Sequence, residues 1–187
     1  MAHFQYVALL RGINVGGGNV IKMADLKACF ERCRLDNVAT FIQSGNVVFD
    51  TFEDDPARVT RKLEAALSRT FNPYQGRIVV CSHAKLRRIV AKAPKGFGTE
   101  PTKYRYDVIY LRPPLKAAHA IKSVSTKEGV DQAFAGLDVL YFCRLIARAS
   151  ESRLARIVGL PIYRDLTIRN WNTTNKLLAL MDARSRT

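Results

Sequence analysis

The sequence predicts an α+β chain built from two related halves, each with the element order β-α-β-β-α-β. Three observations carry this reading: short apolar runs ended by Gly, Ser, Asn or Asp, helical apolar stripes between them, and a second half that repeats the order. With 187 residues and 48% apolar side chains, the chain is long enough to bury a sizeable core.

The first half opens on the strand Tyr6-Val7-Ala8-Leu9-Leu10. A helix follows, because Leu26, Cys29, Phe30 and Cys33 recur at i, i+3, i+4 and i+7. Strands are expected over 38–43 and 47–50, joined at Ser44-Gly45-Asn46, where the Gly-Asn pair marks a tight hairpin. Asp55 as N-cap and Pro56 at the first helical position start a second helix with Val59, Leu63, Ala66 and Leu67 on one side. A strand over 77–81 completes the ferredoxin-like, or split βαβ, motif across residues 4–81. Ser82 then caps a third helix with Leu86, Ile89, Val90 and Ala93 inward and Lys85, Arg87, Arg88 and Lys92 outward. Pro94 and the Gly96-Phe97-Gly98 turn end it.

In the second half the expected elements are a strand over 104–111, a helix over 115–122 and apolar runs at 130–134 and 139–143. A helix after Ser152, a short strand at 166–168 and a last helix over 173–184 follow, the last capped by Asn172 or Thr173. The expected domains are a ferredoxin-like subdomain over 1–82, a connecting basic helix and linker over 83–103, and a second ferredoxin-like subdomain with its terminal helix over 104–187.

A ferredoxin-like sheet standing alone alternates apolar and polar residues, since one face meets water. Val7-Ala8-Leu9-Leu10, Val47-Val48-Phe49 and Ile78-Val79-Val80-Cys81 are apolar on both faces. The second face is therefore expected to be covered, by the other half or by a partner chain in a homodimer. An RNA-recognition sheet, which presents aromatic stacking residues on an open face, does not fit these strands.

Thirty Lys and Arg against sixteen Asp and Glu give a net charge of +14, a field that attracts polyanions. The excess is spread over both halves rather than held in a tail. Residues 65–99 contain no acid and seven bases: Arg69, Arg77, Lys85, Arg87, Arg88, Lys92 and Lys95. Of these, Lys85, Arg87, Arg88 and Lys92 are the candidate nucleic-acid contacts, with a merely solvated helix face as the competing reading. No run of eighteen apolar residues exists and the start lacks a basic leader, so a cytoplasmic protein with no membrane partner is expected. Cys29, Cys33, Cys81 and Cys143 lack zinc-type spacing, and Cys29 and Cys33, on the stripe of Leu26 and Phe30, are expected in the core. His3, His83 and His119 are scattered, so the sequence suggests no metal site, no cofactor and no catalytic triad.

Three segments are polar or glycine-rich beyond what packing needs. The first is Arg11-Gly12-Ile13-Asn14-Val15-Gly16-Gly17-Gly18-Asn19, a strand-to-helix loop whose backbone N–H groups suit phosphate or carboxylate. The second is the Gln43-Ser44-Gly45-Asn46 hairpin, which the antiparallel topology places at the same end of the sheet as the first loop. The third is Thr167-Ile168-Arg169-Asn170-Trp171-Asn172-Thr173, where the only Trp stands among amides beside an Arg fork. No paired carboxylates accompany them, so no catalytic residue is assigned.

Through Tyr6 to Gly17, Phe41-Ile42-Gln43-Ser44-Gly45-Asn46-Val47, and Thr167 to Thr173 with Lys176-Leu177-Leu178, the chain resembles an uncharacterised bacterial family, domain of unknown function DUF1697. Over residues 94–149 only the element order is similar. The resemblance implies two ferredoxin-like α+β subdomains and supplies no activity, cofactor or catalytic residue.

The leading functional expectation is a binding protein for nucleic acid or another phosphorylated ligand. Arg11, Asn14 and the amides of Gly16, Gly17 and Gly18 would hold phosphate, Arg169 would add charge, and the basic helix would track a backbone. Ser44, Asn46, Asn170 and Trp171 complete the candidate ligand-binding set. One alternative is an enzyme acting on a small phosphorylated or carboxylated metabolite in a cleft formed by the three segments. The other is an interaction or dimerisation module in which the polar motifs only fix loop geometry.

Overall fold

A computed structural model describes residues 3–14 and 20–185. The chain divides into unit 1, Met1–Leu86 with Leu177–Thr187, and unit 2, Arg87–Lys176.

Unit 1 holds β1 (Phe4–Leu10), α1 (Met23–Glu31), β2 (Asp36–Phe41), β3 (Asn46–Thr51), α2 (Pro56–Thr70) and β4 (Ile78–Ser82). Its sheet is antiparallel in the order β2-β3-β1-β4. The predicted apolar stripes decide which face each helix turns inward: Leu26, Cys29 and Phe30 from α1 and Val59, Leu63, Ala66 and Leu67 from α2 are buried. They pack with Tyr6, Ala8, Leu10, Val47 and Phe49 on one face of the sheet. Asp55 caps α2 as expected, its Oδ1 accepting from the Ala57 N–H at 2.8 Å.

Val7, Leu9, Val48 and Val79, on the opposite face, are buried too. The sheet is thus apolar on both sides, as its unalternating strands require. The last turns of the C-terminal helix, which belong to this unit, are fastened to both edge strands. His83, just past β4, bonds Asp182, and Arg184 Nη1 donates to the Asn37 carbonyl on β2 at 2.8 Å.

A helix that Ser82 caps, α3 (His83–Ala91), follows β4; Ser82 Oγ accepts from the Lys85 N–H at 3.2 Å. Leu86 and Ile89 are buried, while Arg87, Arg88 and Lys92 are exposed and Lys85 is half-buried. This is the predicted division of the helix into an apolar and a basic arc.

Unit 2 holds β5 (Tyr104–Leu111), α4 (Ala117–Ser123), β6 (Asp131–Ala135), β7 (Val139–Leu145) and β8 (Leu166–Asn170), with α5 (Trp171–Arg184) starting in it. The sheet order β6-β7-β5-β8 reproduces that of unit 1 strand for strand. The expected helix after Ser152 is corrected: the second crossover consists of three 3-10 segments, Ile146–Glu151, Leu154–Gly159 and Pro161–Asp165. The apolar residues there, Leu154 and Ile157 with half-buried Leu160 and Ile162, seal the sheet without a continuous helical stripe. The last helix begins two residues earlier than expected, at Trp171, because β8 passes into it without a loop.

All four cysteines are buried free thiols, as expected of small core residues. Burial pushes the Cys33 and Cys143 thiols above their ordinary value, so they stay protonated. Among the described residues, no helix is long and apolar enough to cross a membrane.

Candidate functional site

In unit 1, β1 and β2 both run against β3, so the turns that follow them emerge together. Asn14 joins them. Its Nδ2 donates to the Ile21 carbonyl and the Gln43 carbonyl, both at 2.9 Å, and its Oδ1 accepts from the Ile21 N–H at 2.8 Å. The Leu10 N–H donates to the Gly45 carbonyl at 2.8 Å. Asn46, fully buried, donates through Nδ2 to the Phe41 carbonyl at 3.0 Å and to Ser44 Oγ at 3.1 Å. The turn is therefore a four-residue loop, 42–45, between the paired Phe41 and Asn46 rather than a tight two-residue one, because Asn46 belongs to the strand and closes the loop with its side chain. Only glycine fits at position 45, where φ is +71° and a Cβ would stand 2.6 Å from Ile13 Cδ1 and 2.8 Å from Leu10 Cβ.

Asn14 and Asn46 thus turn their amides onto the backbone of these turns, and Ser44 Oγ accepts from Asn46. The Arg11 backbone is anchored as well: its N–H donates to the Arg77 carbonyl at 3.1 Å and its carbonyl accepts from the Tyr74 hydroxyl at 2.9 Å. The Arg11 side chain is half-buried. Gly16, Gly17 and Gly18 lie outside the described residues.

The third segment belongs to unit 2. Arg169 is 7% exposed, and its Nη1 donates to Thr167 Oγ1 and to the Ile168 carbonyl, each at 2.8 Å. Its guanidinium is built into the sheet beside its own strand. Asn170, not Asn172 or Thr173, caps α5. As the last residue of β8 it has the extended backbone a cap needs, and its Oδ1 accepts from the Asn172 N–H at 2.9 Å while its Nδ2 donates to the Tyr106 carbonyl at 3.0 Å. Trp171 is half-buried; its ring meets Phe97 edge to face at 5.2 Å, and its pyrrole edge covers Gly98. Gly98 has φ +89°, and a Cβ there would collide with Trp171 Nε1, so sequence and fold agree that no side chain belongs at that position.

Trp171 forms one wall of a cleft of about 530 Å³, with Tyr104, Arg105, Asn170, Asn172 and Asn175 around it. Beneath lies an aromatic group in which Phe97 packs against Tyr106 at 4.9 Å and Tyr141 at 5.3 Å. Tyr141 donates to the Ile89 carbonyl at 2.6 Å, and burial pushes its hydroxyl up to about 12, so it serves as a fixed donor. On the other face of β5, burial raises the Asp107 carboxyl above its ordinary value, with Arg144 Nη2 at 3.7 Å only partly opposing the shift.

The spacing of the histidines missed one grouping, because its members come from distant parts of the chain. His83 Nε2 lies 2.7 Å from Asp182 Oδ1, and Nδ1 lies 3.2 Å from Ser185 Oγ. Ser185 Oγ also lies within hydrogen-bond distance of the Met181 carbonyl, at 3.1 Å. The trio ties the end of α5 to the residue that follows β4.

Two four-stranded antiparallel sheets of identical strand order, each backed by local crossovers, define an α+β protein of duplicated ferredoxin-like units. Its sequence matches the family described as protein of unknown function (DUF1697) over residues 4–141, and the chain belongs to that family. The Trp171 segment lies beyond the matched stretch. A similar fold is found in the conserved bacterial protein SP0830 from Streptococcus pneumoniae, at 25% identity and a TM-score of 0.82, covering 95% of this chain and 98% of that one. Comparison with curated proteins finds no significant match.

Proposed function

We propose that the protein binds nucleic acid, with the basic arc of α3 on the phosphate backbone. The observation that carries this reading is the exposure of Arg87, Arg88 and Lys92 opposite buried Leu86 and Ile89, in a stretch of thirty-five residues without an acid. Arg87 and Arg88 lie on the exposed side of α3 and Lys92 directly follows its last residue, where each can neutralise a phosphate and release its counterion. The net charge of +14 adds long-range attraction that raises the encounter rate. Arg169 contributes by holding the end of β8 in shape, and the turns fixed by Asn14, Ser44 and Asn46 contribute geometry rather than direct charge.

Fluorescence anisotropy with labelled single- and double-stranded oligonucleotides across a salt series tests the proposal. Three contacts predict a slope of log affinity against log salt of roughly −2 on single strands, and the double variant Arg87→Glu/Arg88→Glu should lower its magnitude by about 1.4 or more. An unchanged slope and affinity in that variant would refute the role of α3.

A further inference from the structure

We infer that the cleft beside Trp171 in unit 2 is a nucleobase site, which holds an unpaired purine or pyrimidine against its aromatic wall and reads its edge with amides. The inference deepens the nucleic-acid reading and rests on it only for the source of the base, a strand or a free nucleotide.

The first ground is rigidity. β8 enters α5 without a loop, so Trp171 follows the last strand residue directly, and Asn170 is bonded at both ends of its amide, to the Tyr106 carbonyl and to the Asn172 N–H. The indole is further fixed by Phe97 at 85° to its plane and by Gly98 against its pyrrole edge. A stacking platform loses little freedom when a flat ligand arrives if its own ring is already held. Trp171 is still only half-buried, and it lines the cleft.

The second ground is the set of groups around that surface. Tyr104 supplies another aromatic face, with Lys103 Nζ 5.2 Å from its ring centroid, and exposed Arg105 stands at the rim. Among the described residues, the Asn172 side chain makes no hydrogen bond. Asn175 uses its Nδ2 on the Trp171 carbonyl at 2.8 Å, which leaves its Oδ1 to accept. An amide offers a donor and an acceptor side by side, the pattern that a base edge complements.

The third ground is what the lining lacks. Among the described residues no carboxylate lines the cleft, Arg105 lines it, Lys103 stands beside it paired with Glu100 at 3.6 Å, and about 530 Å³ lies within the range of small-ligand sites. A purely apolar ligand would leave the asparagines without partners, and a bare anion would make no use of the aromatic walls. A base carrying phosphate uses both.

Trp171 is the only tryptophan, so intrinsic emission reports on this cleft alone. The full chain is titrated with AMP and UMP, with ribose 5-phosphate and inorganic phosphate as base-free controls, and with a short oligo(U). Base-bearing ligands should quench saturably and the controls should not. Tyr104→Ala should weaken binding roughly 5- to 150-fold, the span of one stacked base. Asn172→Ala, at an exposed position that tolerates the change, should alter the preference between AMP and UMP. Quenching by AMP or UMP identifies free nucleotide as a source; quenching by oligo(U) alone identifies a strand.

Equal quenching by ribose 5-phosphate would overturn the inference in favour of an anion site. Wild-type affinity in both Tyr104→Ala and Asn172→Ala would overturn it as well. Oligonucleotide binding with unchanged Trp171 emission would leave the α3 reading standing and remove the cleft. Nucleotide quenching together with oligonucleotide binding indifferent to Arg87→Glu/Arg88→Glu would keep the cleft and remove α3.

Discussion

Replacing Asn14 tests whether the first conspicuous loop is held by its own side chain. Asn14→Ala removes two donated bonds and one accepted bond, and it leaves the N–H of buried Ile21 without its partner. At about 1 kcal/mol net per bond, with the exposed Gln43 bond at the low end, the loss is roughly 2–3 kcal/mol. Asn14 also sits at φ 54°, a left-handed conformation in which alanine costs about 1 kcal/mol more. The sum, about 3–4 kcal/mol, corresponds to a fall in melting temperature of roughly 6–16 °C for a chain of this size. Urea unfolding followed by far-ultraviolet circular dichroism measures it. Asn14→Gly should recover roughly 0.5 kcal/mol, since glycine accepts the backbone angle but adds chain entropy to the unfolded state. Asn14→Asp keeps the acceptor for Ile21 and should lie above both. An alanine variant within about 0.5 kcal/mol of wild type would refute the argument, because a buried N–H cannot lose its partner that cheaply.

Two further perturbations probe unit 2. Gly98→Ala should destabilise by at least about 1–2 kcal/mol from its left-handed backbone alone, and should shift Trp171 emission as the new methyl displaces the indole; unchanged emission and melting temperature would mean the contact is not tight. Asp107 binds its proton more tightly folded than unfolded, so its ionisation costs stability above the ordinary carboxylate range and the cost vanishes as pH falls below it. Asp107→Asn should therefore melt higher than wild type at neutral pH, with the gap closing in acid; a gap that widens in acid would show the Arg144 pair to dominate instead.

Where periodicity was strong, the sequence foretold the structure closely. The i, i+3, i+4 stripe of Leu26, Cys29 and Phe30, the Asp55-Pro56 start and the two-sided apolar strands are each found. The second crossover of unit 2 was not legible. Leu154, Ile157, Val158 and Ile162 stand at helical spacing, but Gly159 and Pro161 interrupt the run, and the buried Asp131 holds its start from outside, its Oδ2 accepting from the Arg153 N–H at 2.8 Å and from the Lys127 N–H at 3.0 Å. A carboxylate bonded to a backbone group twenty-two residues on leaves no pattern in a sequence window. The same holds for Arg169: its composition suggested a free fork, while its place in the inner register of β8, opposite Val108, buries it. The nearness of the first two turns could be deduced, because strand direction alone fixes it.

The duplicated motif ends at the fourth strand of each unit, and each time the chain continues directly into a helix that the motif does not require. Both junctions use one device, a polar last strand residue whose side chain caps the new helix: Ser82 on the Lys85 N–H, Asn170 on the Asn172 N–H. The helices differ in what they present. After β4 the solvent side becomes a cationic arc; after β8 the first turn becomes an indole flanked by amides. Neither surface is needed to complete its sheet, so neither is constrained by the strand pairing that keeps the two cores alike. Backbone charge and base stacking are complementary requirements for an unpaired strand, since phosphate contacts give affinity without identity and stacked, hydrogen-bonded bases supply the rest. The proposed function therefore predicts that variants of α3 alter salt dependence while variants at the start of α5 alter base preference.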